Sequence, residues 1–401
     1  VDIRASFHGF GEHNSASSHP KVRAIYNYAR QGTVIQDLID TQILFTDQDG
    51  KLLEKWEKKD EEAPPIFRFG QAQETAFVRW VVEIPGDLEA RVWRDKSLWA
   101  SWIDYYSNTK QTKSLCYVTG QEELIAQHHP AKLINDGDKA KLISSNDNQG
   151  FTFRGRFTKP EQAAAVGFEV TQKAHSALRW LISRQGYRRG SLAIVAWATS
   201  GAPIPKPTDD PLSILGLDEL PSDEQPTLPT AQEVAIRLKK KIAGYGKTLG
   251  DTTGVVVMGV NSATPGQGRM AITYYQELTG SDFLQRVGDW HESCAWLHRY
   301  GEIEIQDPKS GNFVKKHIPF IGAPAPVDIA EAAYGQSADD RLKQATVARI
   351  LPCIVEGRQI PRDLVESCVR RACNRVGMKH WEWEKALSIA CSLFRKYNRK
   401  E

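Results

Sequence analysis

Residues 141–157, KLISSNDNQGFTFRGRF, place Ser144, Ser145, Asn146, Asn148 and Gln149 just ahead of Arg154 and Arg156. Each Asn or Gln presents one donor and one acceptor end, the geometry that pairs with adenine in a groove. FTFRGRF alternates, which predicts a strand with Phe151, Phe153 and Phe157 on one face and Thr152, Arg154 and Arg156 on the other. Arginines two apart on one face can straddle successive phosphates. The phenylalanines then belong to a core, and RGRF does not match the RNP1 order of an RNA-recognition sheet. Lys139 and Lys141 precede this stretch, and Lys173, Arg184, Arg188 and Arg189 carry the basic area onward. A second loop, NSATPGQGR (261–269), offers Asn261, Gln267 and Arg269, with Gly266 and Gly268 allowing close backbone approach. It reads equally as a plain strand connection.

Other chemistry is weaker at every place the chain hints at it. GYGKT (244–248) resembles the end of a phosphate loop, but Lys241 stands where that motif needs glycine, and a helix precedes it. DQDGKLLE (47–54) mimics a calcium loop without its closing glutamate, and a hairpin turn accounts for it. His291, Cys294 and His298 have the i, i+3, i+7 spacing of one helix face, yet no fourth zinc ligand accompanies them. His128 and His129 have no partnering acid or nucleophile in sequence. A nuclease needs clustered carboxylates for Mg²⁺, and Asp136 and Asp138 beside Lys139 come nearest, although Asn135 and Gly137 suggest a turn. No catalytic residue, cofactor or metal ligand set is assigned.

The elements around these residues belong to an ordinary globular chain of 401 residues, 41% hydrophobic and 25% charged, long enough for two or three domains. The net charge is only +3, but from Lys139 to Gly190 ten Lys or Arg face three acids, so that segment is +7 and the remainder −4. Such a local excess is the footprint of phosphate binding, with a solvated surface as the bland alternative. The six cysteines form no CxxC pair and read as reduced core thiols of a cytoplasmic protein. LAIVAWA (192–198), the longest apolar run, is too short to cross a bilayer, and no signal peptide is visible. The chain begins at Val1, and a fragment or processed product is expected.

Helices are expected over 19–32, stopped by Gly32, over VIQDLID and over 95–108, with Leu98, Trp102 and Tyr105 at helical spacing. A hairpin is expected over 43–56, and strands over FVRWVVEI (77–84, buried), LCYVT (115–119) and KLISS (141–145). A single helix from a Thr158–Glu161 capping box to Gly186 should bury Val170, Ala174, Ala177, Leu178 and Leu181. LAIVAWA reads as a strand buried on both faces. Residues 202–230 hold seven prolines and six acids against one lysine, and read as an extended, mobile loop or linker. A helix over 231–244 and strands GVVVMGV and MAITYY follow. From Ser281 on the pattern is helical, interrupted by a hairpin over 303–320. The fold class is α+β: a mixed body over 1–276, then a helical domain over 277–401.

KAKLISSNDNQGFTFRGRFTKPEQAAAVGFEVTQKAHSALRWLISRQGYRRGSLAIVAWATSG (139–201) resembles the large subunit of the type I-C CRISPR surveillance complex, Cascade. So do LWASWIDYYSN with LCYVTG, VVVMGVNSATPGQGRMAITYYQEL and HWEWEKALSIACSLFRKY, and the resemblance extends over most of 19–401. Chains of that family start earlier and run further. The resemblance implies a subunit without catalysis, seated at the crRNA 5′-handle end beside the repeated backbone subunits and the handle-binding subunit. It implies reading of the protospacer-adjacent motif on double-stranded DNA, help in opening the duplex into an R-loop, support of the displaced strand and recruitment of a helicase–nuclease. A small helical subunit completes the expected partners, and no membrane is involved. Guided recognition divides labour in this way: protein reads a short motif and base pairing reads the rest. Asn146, Asn148 and Gln149 are chosen on their chemistry and are not carried over from the family. Arg370, Arg371 and Arg375 form a basic edge suited to displaced single strand, or equally a solvated helix face. The competing readings are a metal-dependent nuclease and a scaffold that binds only crRNA and partner proteins.

Overall fold

A computed structural model describes residues 19–56, 62–68, 72–109, 113–145, 155–217, 229–262, 269–306 and 313–399. The chain divides into two compact units, Val1–Ser114 and Leu115–Glu401. It is an α+β protein, with small antiparallel sheets among many helices.

In the first unit, α1 (Pro20–Arg30) opens on a proline, whose fixed φ suits the first helical turn, and ends before Gly32 at φ +75°. α2 (Val34–Asp40) and α3 (Lys96–Thr109) follow as expected. Leu98 and Tyr105 of α3 pack on Val22, but Trp102 is 40% exposed and leaves that stripe. The expected hairpin is a tight turn in which Asp47 Oδ1 accepts the Asp49 and Lys51 N–H groups, both at 2.9 Å. The carboxylate that suggested calcium thus serves the backbone. FVRWVVEI is not a buried strand: it forms only the Val81–Arg91 bridge, and Phe77 is 88% exposed. An apolar run predicts burial only when an adjoining strand receives it.

The second unit is built on a four-stranded antiparallel sheet in chain order: β1 (Tyr187–Arg189), β2 (Leu192–Ala198), β3 (Gly254–Ser262) and β4 (Met270–Thr279). LAIVAWA is β2, buried on both faces because period-2 alternation sends apolar side chains both ways. Leu192, Ile194, Ala196 and Ala198 join the main core with Val255, Val257, Phe283 and Trp290. Ala193 and Val195 join a second core with Leu133, Ile134, Ala140, Ile182, Val260 and Met270.

The helix expected from Thr158 is two elements, α4 (Pro160–Ala163) and α5 (Phe168–Gln185), separated at Ala164–Gly167. Gln162, not Glu161, closes the first turn: its Oε1 accepts from the Lys159 N–H at 3.1 Å and from the Thr158 hydroxyl at 3.2 Å. The buried face of α5 is Thr171, His175 and Ile182, with Leu178 and Leu181 partly covered, while Ala174 and Ala177 are exposed. Alanine is indifferent to its surroundings, so small residues did not define the stripe that larger ones fill.

Part of the proline-rich segment is ordered core. α6 (Pro211–Leu215) is capped by Asp210, which accepts the Ser213 N–H at 2.9 Å, and Leu212 and Leu217 pack with Val234, Ile303, Ile318 and Phe320. Residues 218–228 lie outside the described residues. α7 (Ala231–Leu249) starts in a Thr230–Glu233 capping box and runs through GYGKT, so those residues are helix and no phosphate loop. α8 (Gly280–Ser293) leads into a hairpin of β5 (Trp296–Gln306) and β6 (Phe313–Gly322), longer than expected. Helices α9 (Pro326–Tyr334), α10 (Asp340–Val355), α11 (Arg362–Cys373) and α12 (His380–Asn398) complete the unit.

The longer hairpin corrects the zinc-like triad. Cys294 caps the end of α8 and His298 lies on β5, so the three residues do not share a helix face. The chain leaves the helix at Cys294 because Trp296–His298 pair with Phe320–Gly322. Among the described residues no helix is long and apolar enough to span a membrane.

Candidate nucleic-acid interface

LCYVT and KLISS are not strands. Leu115 ends a three-residue strand and Cys116–Thr119 turn back. Lys141 makes two isolated bridges, antiparallel to Ala131 and parallel to Arg269. The Met270 N–H donates to the Lys141 carbonyl at 3.0 Å. That bond and the Arg269 bridge set Lys141, the head of the first stretch, beside Arg269, the end of the second, at the outer edge of β4.

Asn146, Asn148, Gln149, Arg154 and Gln267 lie outside the described residues, as do Phe151 and Phe153 of the expected strand. Gly155 and Arg156 form a turn, with Gly155 at φ +60°, so the strand does not reach this far. Arg156 is exposed with its guanidinium 5.5 Å from the ring of Phe157. The Ser145 hydroxyl donates to the Pro160 carbonyl at 3.1 Å, and Ser144 is half-buried.

The loop 131–141 is a folded turn rather than an acidic pocket. Asp138 is buried and its Oδ1 accepts the Ala140 N–H at 2.9 Å. Asp136 pairs with Arg179 of α5 at 2.6 Å. Among the described residues no three His, Cys, Asp or Glu side chains group to hold a metal. Leu133, Ile134 and Ala140 anchor the loop in the second core, leaving Lys139 exposed.

The remaining cations differ in how far the fold already uses them. Lys173 pairs with Glu169 at 2.5 Å, but both are about three-quarters exposed, and such a pair is easily exchanged for a phosphate. Arg184 lies 5.0 Å over Trp180, itself 55% exposed, a cation–aromatic platform of the kind on which bases stack. Arg188 is exposed, whereas Arg189 is committed to Asp340 at the start of α10, with Nε at 3.1 Å and NH2 at 2.9 Å. In the helical region Arg371 is ion-paired with Glu382, Arg375 lies 4.7 Å over Trp383, and Arg370 is exposed.

Two polar groups beside the second loop carry a signal that sequence reasoning partly missed. Asn261 Oδ1 and Ser262 Oγ are both buried without a hydrogen-bond partner among the described residues. Being consecutive on β3 they point to opposite faces, Asn261 with Leu192 and Ser262 across from Met270. A buried polar group without a partner costs about 1–3 kcal/mol, and such groups concentrate where a ligand completes them. Asn261 was a candidate from sequence. Ser262 was not, since only the register showed it to be 1% exposed.

Just below this edge, His129 Nδ1 lies 2.9 Å from the Thr171 hydroxyl, which is 3.1 Å from His175 Nδ1. Burial pushes His129 down to about 4, so it is neutral at physiological pH and adds nothing to the positive field.

No curated protein sequence matches the chain. A profile of the CRISPR-associated proteins designated Cas_Csd1 matches residues 8–401, nearly the whole chain, and agrees with the resemblance to a type I-C Cascade large subunit. The protein is therefore a member of the CRISPR-associated Csd1 family.

Proposed function

We propose that this chain is the non-catalytic large subunit of a type I-C Cascade complex in the cytoplasm, reading the protospacer-adjacent motif on double-stranded DNA and helping to form the R-loop. The observation that supports this best is the Lys141–Met270 hydrogen bond, which with the Lys141–Arg269 bridge brings the first residue of one candidate stretch beside the last residue of the other. Lys139, Arg156, Arg184 and Arg188 of the same unit are exposed and available to phosphate. Phosphate contacts from such residues fix register, while Asn146, Asn148, Gln149, Asn261 and Gln267 are the groups suited to read base edges. Arg370 and Arg375 offer a separate path for the displaced strand. The partners in this reading are crRNA, the backbone and handle-binding subunits, the small helical subunit and the recruited helicase–nuclease.

The test is duplex binding by the crRNA-loaded complex, with and without this subunit, on targets carrying an intact or scrambled motif. Loss of motif discrimination without the subunit is expected. Arg156→Ala should weaken binding on all sequences and reduce the salt slope by about one unit. Asn146→Ala, Asn148→Ala or Gln149→Ala should cost about 1–3 kcal/mol on the correct motif only. Discrimination that survives removal of the subunit would leave it a scaffold for crRNA and partner proteins. Mg²⁺-dependent cleavage by the purified chain, abolished by Asp138→Ala, would make it a nuclease.

A further inference from the structure

The pair Arg188–Arg189 reads in sequence as two equivalent phosphate contacts, but the fold treats them differently. They are the last two residues of β1, and Gly190 and Ser191 make the turn into β2. Arg188 is exposed. Arg189 reaches Asp340, in the first turn of α10, through both Nε and NH2. The Ser191 hydroxyl donates to Gln344 Oε1 at 2.9 Å, one helical turn further along. Gly190 has φ +54° and lies against the Gln344 amide, so a side chain there would be both strained and obstructed. From the other side, Asn135 Nδ2 donates to the Gly190 carbonyl at 3.0 Å, and the Ser262 N–H donates to the Ser191 carbonyl at 2.9 Å. One tight turn therefore carries the loop before Lys141 and the strand end before the second candidate loop, and is itself fixed to α10.

We propose that Arg189, Asp340 and Gln344 are positioning residues that lock the β1–β2 turn, and with it the DNA-reading edge, onto α10, while Arg188 is the arginine presented to phosphate. This rests on the proposed DNA-recognition role. Asp340 is the decisive residue, because two accounts of it predict opposite signs. If Asp340 is only an acidic neighbour of a polyanion site, removing it raises the local positive field and strengthens DNA binding. If it anchors the turn, removing it frees Arg189, loosens both reading loops and weakens motif-specific binding.

The experiment compares Asp340→Ala, Arg189→Ala, the double variant and Arg188→Ala in the crRNA-loaded complex, on correct and scrambled motifs across a salt series. Asp340→Ala and Arg189→Ala should each reduce motif discrimination by about fivefold, and the double variant should lose no more than either alone, as two members of one contact do. Asp340→Glu should restore most of the loss. Arg188→Ala should instead lower the salt slope by about one unit with the discrimination ratio unchanged. Subunit incorporation and melting temperature of each variant separate misfolding from misplacement. Unchanged discrimination, or tighter DNA binding, in a well-assembled Asp340→Ala complex overturns the anchor. If Arg156→Ala and Arg188→Ala both leave the salt slope at its wild-type value, the DNA-recognition reading fails, whatever Asp340 does.

Discussion

Lowering the pH from 7 to 5 is expected to remove about 2 kcal/mol of folding stability for each of His291 and His298. Both side chains are buried, and burial pushes each from 6.5 down to about 4. The hydrogen bond of His291 also defines it as neutral, and that of His298 fixes which nitrogen carries its proton. His291 Nδ1 accepts the Ala323 N–H at 3.3 Å, so its proton sits on Nε2. The Ser388 hydroxyl donates to the Lys385 carbonyl at 3.0 Å, so His298 Nδ1, 3.0 Å from that hydroxyl, must carry the proton and donate it. Because the folded pKa lies below the unfolded one, the unfolded chain binds the extra proton first as the pH falls. Stability is complete above about 6.5 and declines down to about 4, where the folded state protonates too. Urea denaturation at pH 7 and pH 5, on the wild type and on His291→Asn/His298→Asn, measures this. The double variant retains the carboxylate contribution and should lose about 4 kcal/mol less between the two pH values. An equal pH dependence in both proteins would show that these histidines do not carry it.

Lys385→Ala should be the most damaging single change in the helical region, costing about 3–5 kcal/mol. Lys385 Nζ lies 2.6 Å from Asp328 and 3.0 Å from Glu331, and Lys343 lies 3.5 Å from the same Glu331. Lys343 Nζ also donates to the Gln336 carbonyl at 2.5 Å. The four side chains are 5–18% exposed, so little water screens them. They tie α9, α10 and α12 together, and Lys385 also lies 5.0 Å over the ring of Tyr300 on β5. Burial, and after it the neighbouring Glu331 charge, push the Asp328 carboxyl up, with Lys385 working against them. Without Lys385 that opposition vanishes, and two carboxylates remain facing one lysine. Paired replacement should hurt less than single replacement, because removing both members leaves no buried charge uncompensated. Lys385→Met with Asp328→Asn is thus expected to recover at least about 1 kcal/mol relative to Lys385→Ala. Chemical denaturation decides the matter. A Lys385→Ala protein within about 1 kcal/mol of wild type would mean that the network is solvated and contributes little.

Much of the chain was legible where one physical requirement dominated. LAIVAWA could only be a doubly buried strand, and Gly32 stopped α1. Legibility failed where a neighbour distant in sequence decided the outcome. FVRWVVEI has strand chemistry but forms only one isolated bridge. His298 continued a helical spacing until pairing with Phe320 drew it into a hairpin. The proline-rich segment suggested a linker, yet Leu212 and Leu217 found a core supplied by residues up to 108 positions away.

The site divides in the same manner. Residue types alone determined that the chain has a concentrated basic segment and two amide-bearing loops, because charge and hydrogen-bonding capacity belong to side chains wherever they lie. The quoted stretches likewise pointed to the family that the profile of residues 8–401 then showed. Only the tertiary structure decided that Lys141 and Arg269 are neighbours, that Asp138 serves a turn, that Ser262 is buried, and that Arg189 is held by Asp340. Those are relations between residues up to 151 positions apart. Local sequence patterns carry no direct record of such distances, because they are set by which cores close and which strands pair.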